Sequence, residues 1–191
     1  MDSFKQYNSF EIMIKYLIVV FFIIVPLSTN ANGLKSMLKE DGFCALTWEQ
    51  NLATITGMKC VETNCVSKNL KEYVRPDDIL DLKGIKLKII RYTFWRNSLY
   101  AVTIMTEGRT NYLALKRMVL ESIGSSYHKD DSNERYVWSN QKTDWELKYI
   151  DQGEQGRLQM KSTNITRQIE LTKYIKSRNY SNWIKPRRVK K

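Results

Sequence analysis

Histidine is almost missing from this sequence. His128 is the only one among 191 residues, which excludes a metal site built from several imidazoles. Three prolines and eight glycines leave no room for collagen-like or low-complexity segments, and no glycines gather into a phosphate-cradling loop. The twelve-residue acidic pattern of a calcium loop is absent as well. No cofactor and no metal is therefore expected. Acidic residues number 20 against 31 basic ones, for a net charge of +11. What is present is a core-forming composition: 42% of residues are apolar, with 6 Phe, 5 Trp and 11 Tyr, unlike a disordered chain.

Lys5 and Lys15 precede an apolar run from Tyr16 to Leu27, and Ser28-Thr29-Asn30-Ala31 follows it. This is the order of a secretory signal. Twelve helical residues rise about 18 Å, short of a hydrocarbon core of about 30 Å. Residues 1–31 are thus expected to be removed by a cut after Ala31, where Thr29 and Ala31 offer the small side chains a signal peptidase admits. The alternative is an uncleaved segment starting at Ile12 that holds the chain in the inner membrane. Either way the expectation is an exported protein, periplasmic or secreted, with one domain's worth of chain behind the leader.

An oxidising compartment favours disulfides, and Cys44, Cys60 and Cys65 fall within 22 residues. One bridge is expected and three pairings are open. Cys60 and Cys65 enclose four residues, Val61-Glu62-Thr63-Asn64, and are the easiest pair to close, leaving Cys44 as a small buried hydrophobe. No basic or histidine neighbour in the sequence around Cys44 points to a reactive thiolate.

Charge is concentrated at one end. Residues 32–166 carry 20 basic and 17 acidic side chains, whereas residues 167–191 carry 9 basic ones and only Glu170. The chain ends in Lys185-Pro186-Arg187-Arg188-Val189-Lys190-Lys191, where Pro186 stops a helix and five cations follow one another closely. These five, Lys185, Arg187, Arg188, Lys190 and Lys191, are the candidate residues for binding an anionic surface. Upstream of them, Ile165, Ile169, Ile175, Tyr180, Trp183 and Ile184 fall on one broad side of a projected helix, with Lys173 and Lys176 intruding.

The middle of the chain alternates. Lys71–Arg75 reads as a short extended piece stopped by Pro76-Asp77-Asp78, and Ile85–Trp95 and Leu99–Thr106 read as strands joined by a turn at Arg96-Asn97-Ser98. Thr110–Gly124 shows helical spacing at Leu115, Met118, Val119 and Ser122, with Thr110 as N-cap and Gly124 as C-cap. Three further strands follow, 135–139, 143–150 and 156–162, with Tyr136, Trp138, Trp145, Leu147, Tyr149, Leu158 and Met160 on one dry face. Residues 34–68 read ambiguously, with Trp48 and Leu52 at helical spacing before Gly57. The fold class is α+β: an antiparallel sheet of about five strands in the order β-β-α-β-β-β, one helix on its apolar face, and a C-terminal helix. The domain organisation is a leader (1–31), an N-terminal segment with the cysteines (32–70), the α+β domain (71–163), and an amphipathic helix with basic tail (164–191).

The succession Tyr92-x-Phe94, Leu99-Tyr-x-Val102, Glu107-Gly108, Leu115 through Gly124, Tyr136-x-Trp138, Leu147-x-Tyr149 and Gly156-x-Leu158 resembles a widespread set of small, signal-peptide-bearing bacterial envelope or secreted proteins of uncharacterised function. The resemblance covers roughly residues 71–163. It implies the fold and the envelope location, and brings no catalytic residue with it.

Two functions are weighed. The first is an exported, non-enzymatic envelope protein, a monomer or weak oligomer, that binds an envelope protein or an anionic surface; nucleic acid is an unlikely partner for an exported chain. The alternative is an enzyme using His128 or Cys44, His128 as a general base in the hydrophilic loop 125–131. No nucleophile elbow accompanies either residue.

Overall fold

A computed structural model describes residues 37–61, 69–125, 127–130 and 134–184. The leader at 1–31, Cys65 and the basic terminus 185–191 lie outside the described residues. Among the described residues the fold is α+β, with a large antiparallel sheet and two α-helices, the second of them C-terminal.

Strands β1 (Leu38–Lys39), β2 (Gly42–Phe43) and β3 (Leu46–Thr47) form a small antiparallel meander. The main sheet contains β4 (Lys59–Cys60), β5 (Leu70–Val74), β6 (Asp81–Leu82), β7 (Ile85–Trp95), β8 (Ser98–Glu107), β9 (His128–Asp130), β10 (Arg135–Ser139), β11 (Thr143–Ile150) and β12 (Gln155–Ser162). Across it the order is β4-β5-β7-β8-β12-β11-β10-β9, with β6 beside the other half of β7. The sheet thus has nine strands rather than about five. All five expected strands are in it, the extended piece at Lys71–Arg75 is β5, and the additions β4, β6 and β9 are two or three residues long. Strands that short have no room to alternate, so no periodic signal marks them. Trp48 and Leu52 do not share a helix: Trp48 follows β3, and Leu52–Thr54 is a single 3-10 turn with Asn51 as its cap.

Long alternating strands build the core. Tyr92 faces Val102, Ile90 faces Ile104 and Leu147 faces Leu158 across neighbouring strands, and all six side chains are buried. The β7–β8 connection is the two-residue turn Arg96-Asn97, both at positive φ, the geometry that matches strand twist in tight hairpins. Helix α1 (Arg109–Ile123) lays Tyr112, Leu115 and Val119 on this face. Its N-cap is Gly108, with no side-chain cap, two residues before the expected Thr110, and it ends as expected at Gly124, whose φ of 103° few residues other than glycine adopt. Gly156 on β12 lets the helix come close, since a Cβ there would collide with Thr106 Oγ1 and meet Tyr112 Cδ2 at 2.8 Å. The N-terminal meander belongs to the same core through Leu38, Phe43 and Leu46. Trp48 Nε1 ties it to β11 by donating to Thr143 Oγ1 at 2.6 Å.

The opposite face of the sheet is polar, and it is organised around a carboxylate. Glu146 on β11 accepts from Arg135 on β10 at 2.8 Å and from Arg157 on β12 at 3.1 Å, with Lys148 Nζ at 3.8 Å. The strands bring these side chains together because residues 135, 148 and 157 form one cross-strand row and 146 lies in the next. Partial burial on its own would raise the Glu146 pKa; the hydrogen bonds and charges of Arg135 and Arg157 together hold it below the usual glutamate value.

Candidate functional site

Among the described residues three places are considered for function. The first surrounds Cys44. Burial, followed by the charge of Asp78, pushes the Cys44 thiol up to about 11, although Arg75 and Lys39 act the other way. Of these two cations Lys39 is close in sequence and Arg75 is brought near by the fold, and both lose to desolvation. Beside it the buried Tyr92 hydroxyl donates to Asp78 Oδ2 at 2.9 Å. A thiol so protonated at neutral pH is a poor nucleophile. His128 sits exposed on β9, the terminal strand, opposite Val137. Four strands, β8, β12, β11 and β10, separate β9 from the Tyr92 strand β7, a distance of roughly 24 Å along the sheet. The fold does not bring His128 and Cys44 together.

The second place is a cleft of about 290 Å³ between β1, the end of α1 and the β10–β11 turn, walled by Leu38, Ile123, Trp138 and Trp145. Both indoles are almost wholly buried, and Trp138 Nε1 is spent on the carbonyl of Gly124 at 3.0 Å. Glu40 is the one titratable residue on its lining, so acid and base do not converge there. Among the described residues no cluster of His, Cys, Asp and Glu is arranged to hold a metal ion.

The third place is helix α2 (Thr163–Ile184), which starts inside the fold and leaves it. Ser162 caps the helix, accepting from the Ile165 N–H at 3.2 Å. The Thr163 N–H donates to Lys142 O, Asn164 Nδ2 donates to Glu49 Oε1 at 2.7 Å, and Tyr100 is hydrogen-bonded to Thr166. Ile165 is 1% exposed and Ile169 is half-buried. Beyond them the helix emerges: from Glu170 to Arg178 every side chain but Thr172 is exposed. Leu171, Tyr174 and Ile175 stand 54%, 58% and 56% exposed. Arg167, Lys173, Lys176 and Arg178 accompany them, against the single acid Glu170.

This corrects one sequence expectation. Ile165 and Ile169 dock on the domain, but Ile175 does not continue their face. At 100° per residue it projects about 80° away from Ile165, towards Leu171 and Tyr174. The docked face stops being apolar where Lys176 takes it over. The side chains of Tyr180, Trp183 and Ile184, and the candidate cations Lys185, Arg187, Arg188, Lys190 and Lys191, lie outside the described ones. Leu171 and Tyr174 went unnoticed in the sequence, where the signal was their i, i+3, i+4 spacing with Ile175.

The cysteines also depart from expectation. Cys44 and Cys60 are both free thiols, so the expected Cys60–Cys65 bridge is not found. Cys60 is exposed on the two-residue edge strand β4, paired to Tyr73. Spacing alone suggested the bridge; it could not include the pairing of β4 with β5 that fixes the direction of the chain at Cys60. Among the described residues no helix is long and apolar enough to cross a membrane. No protein-family model matches the chain, nor does any curated protein or solved structure.

Proposed function

We propose that this is an exported, non-enzymatic protein whose C-terminal arm attaches it to an anionic partner in the cell envelope. The arm is α2 from Glu170 onward together with the basic terminus, and the α+β domain is its mount. One observation carries the reading. The first two turns of α2 are fixed to the sheet, while the stretch from Glu170 to Arg178 stands in solvent with cations in excess. A charged segment held at one end on a rigid body presents its charge in a fixed direction, and such a run draws any polyanion within a Debye length. The separation of His128 from Cys44 keeps these two from acting together as base and nucleophile.

Retention on immobilised heparin tests this reading. The intact chain is expected to be retained at low ionic strength and to elute as salt rises. A chain ending at Glu170 should pass through while keeping its thermal stability, because Ile165 and Ile169 remain in place. Passage of the intact chain without retention would overturn the reading.

A further inference from the structure

From the exposed side of α2 we infer that the anionic partner is a lipid bilayer, on which this segment lies flat with Leu171, Tyr174 and Ile175 in the interfacial zone; the inference rests on the attachment just proposed and names its partner. These three side chains share a face, being one turn apart at i, i+3 and i+4. They point away from the face that Ile165 and Ile169 use to dock, so the helix has a second apolar stripe, exposed among the described residues. Arg167 and Arg178 bracket that stripe. They stand eleven residues apart, about three full turns and about 16 Å, and so project on the same side as the apolar residues between them. The Arg178 guanidinium also sits 5.9 Å from the Tyr174 ring. Apolar side chains with a long cation at each end are suited to an interface: the stripe enters the acyl boundary while the arginine stems follow it down and return their charge to phosphate.

Charge and apolarity together select lipid over other polyanions. A sulfated or carboxylated glycan would engage the cations but leave Leu171 and Ile175 in water. A second copy of the chain would cover the apolar stripe, yet parallel pairing sets Arg167 on Arg167 and Arg178 on Arg178, and antiparallel pairing about the middle of the stripe sets Arg167 on Arg178. Either arrangement opposes like charges. An anionic bilayer satisfies both demands, and the excess of eight positive charges in residues 167–191 attracts it over a longer range.

The experiment is co-sedimentation of the intact mature chain with vesicles of phosphatidylglycerol and phosphatidylcholine, with pure phosphatidylcholine vesicles and heparin retention as parallel arms. Binding to the anionic vesicles is expected to exceed that to phosphatidylcholine by at least about tenfold. The double variant Leu171→Ser/Ile175→Ser keeps every charge and alters only exposed positions. It should lose about tenfold in vesicle binding with its heparin elution unchanged. Leu171→Lys supplies the decisive sign: it adds a cation, so purely electrostatic attachment predicts tighter vesicle binding, whereas an inserted stripe predicts weaker binding. Tighter binding by Leu171→Lys, or undiminished binding by the double variant, overturns the inference. Heparin retention without vesicle binding overturns the lipid partner and leaves the anionic attachment standing; failure on both arms overturns both. A salt-stable dimer that Leu171→Ser/Ile175→Ser dissolves would assign the stripe to self-association instead.

Discussion

Ile165 and Ile175 lie ten residues apart on one helix and occupy opposite environments, the first 1% exposed and the second 56%. The same residue type therefore has two jobs along α2, and substitution separates them. Ile165→Ala empties a packed site and should cost about 2–4 kcal/mol of unfolding free energy. Ile175→Ala should stay within about 0.5 kcal/mol. Chemical denaturation of the two variants measures both values, and equal costs would mean that the helix does not leave the domain where the structure has it leave.

Glu146 gives the sheet's polar face a pH dependence with a definite sign. Its folded-state pKa is depressed, so the stability it adds is present above the ordinary glutamate value and is lost as pH falls through the depressed one. Glu146→Gln should therefore be less stable than the parent at pH 7 by about 1–2 kcal/mol, with the gap closing as both proteins are acidified below pH 4. Thermal melts across that range check it; a gap that persists unchanged in acid would contradict the Arg135–Glu146–Arg157 arrangement.

Close approach of α1 to β12 depends on Gly156. Gly156→Ala places a methyl group against Thr106 and Tyr112, and the overpacking should cost about 1–3 kcal/mol. Pairing it with Tyr112→Leu relieves part of the clash, so the double variant should lose less than the two single losses combined. Strict additivity in a double-mutant cycle would count against this contact.

Thiol chemistry separates Cys44 from Cys60. With its pKa pushed up to about 11, Cys44 holds little thiolate at pH 8, and half-burial slows access further. In protein kept reduced, alkylation followed by peptide mass spectrometry should label the exposed Cys60 well before Cys44. Rapid labelling of Cys44 would revive it as a nucleophile.

Much of the fold was legible because its long elements repeat. β7, β8, β11 and β12 are eight to eleven residues each, long enough for alternation to show, and Gly124 marked the end of α1. The meander β1–β3 and strands β4, β6 and β9 were not legible, since two or three residues hold no period and their pairing is decided by distant partners. The turn at Cys44 has a positive φ of 53° without a glycine to announce it. The candidate site was half legible. Excess positive charge in 167–191 is a property of composition, whereas the point at which α2 leaves the sheet depends on contacts of Asn164 with Glu49 and Tyr100 with Thr166, each 66 residues or more apart in sequence.

The most direct test of the account is flotation with anionic vesicles of two chains, one ending at Lys191 and one at Glu170, over ionic strengths from about 0.05 M to about 0.5 M, where the Debye length shrinks severalfold. The account predicts that the longer chain floats at low salt and is progressively released, while the shorter chain, folded and equally stable, stays at the bottom throughout. Flotation of the chain ending at Glu170 to the same extent as the intact one would contradict it, because attachment would then reside in the domain and not in the arm.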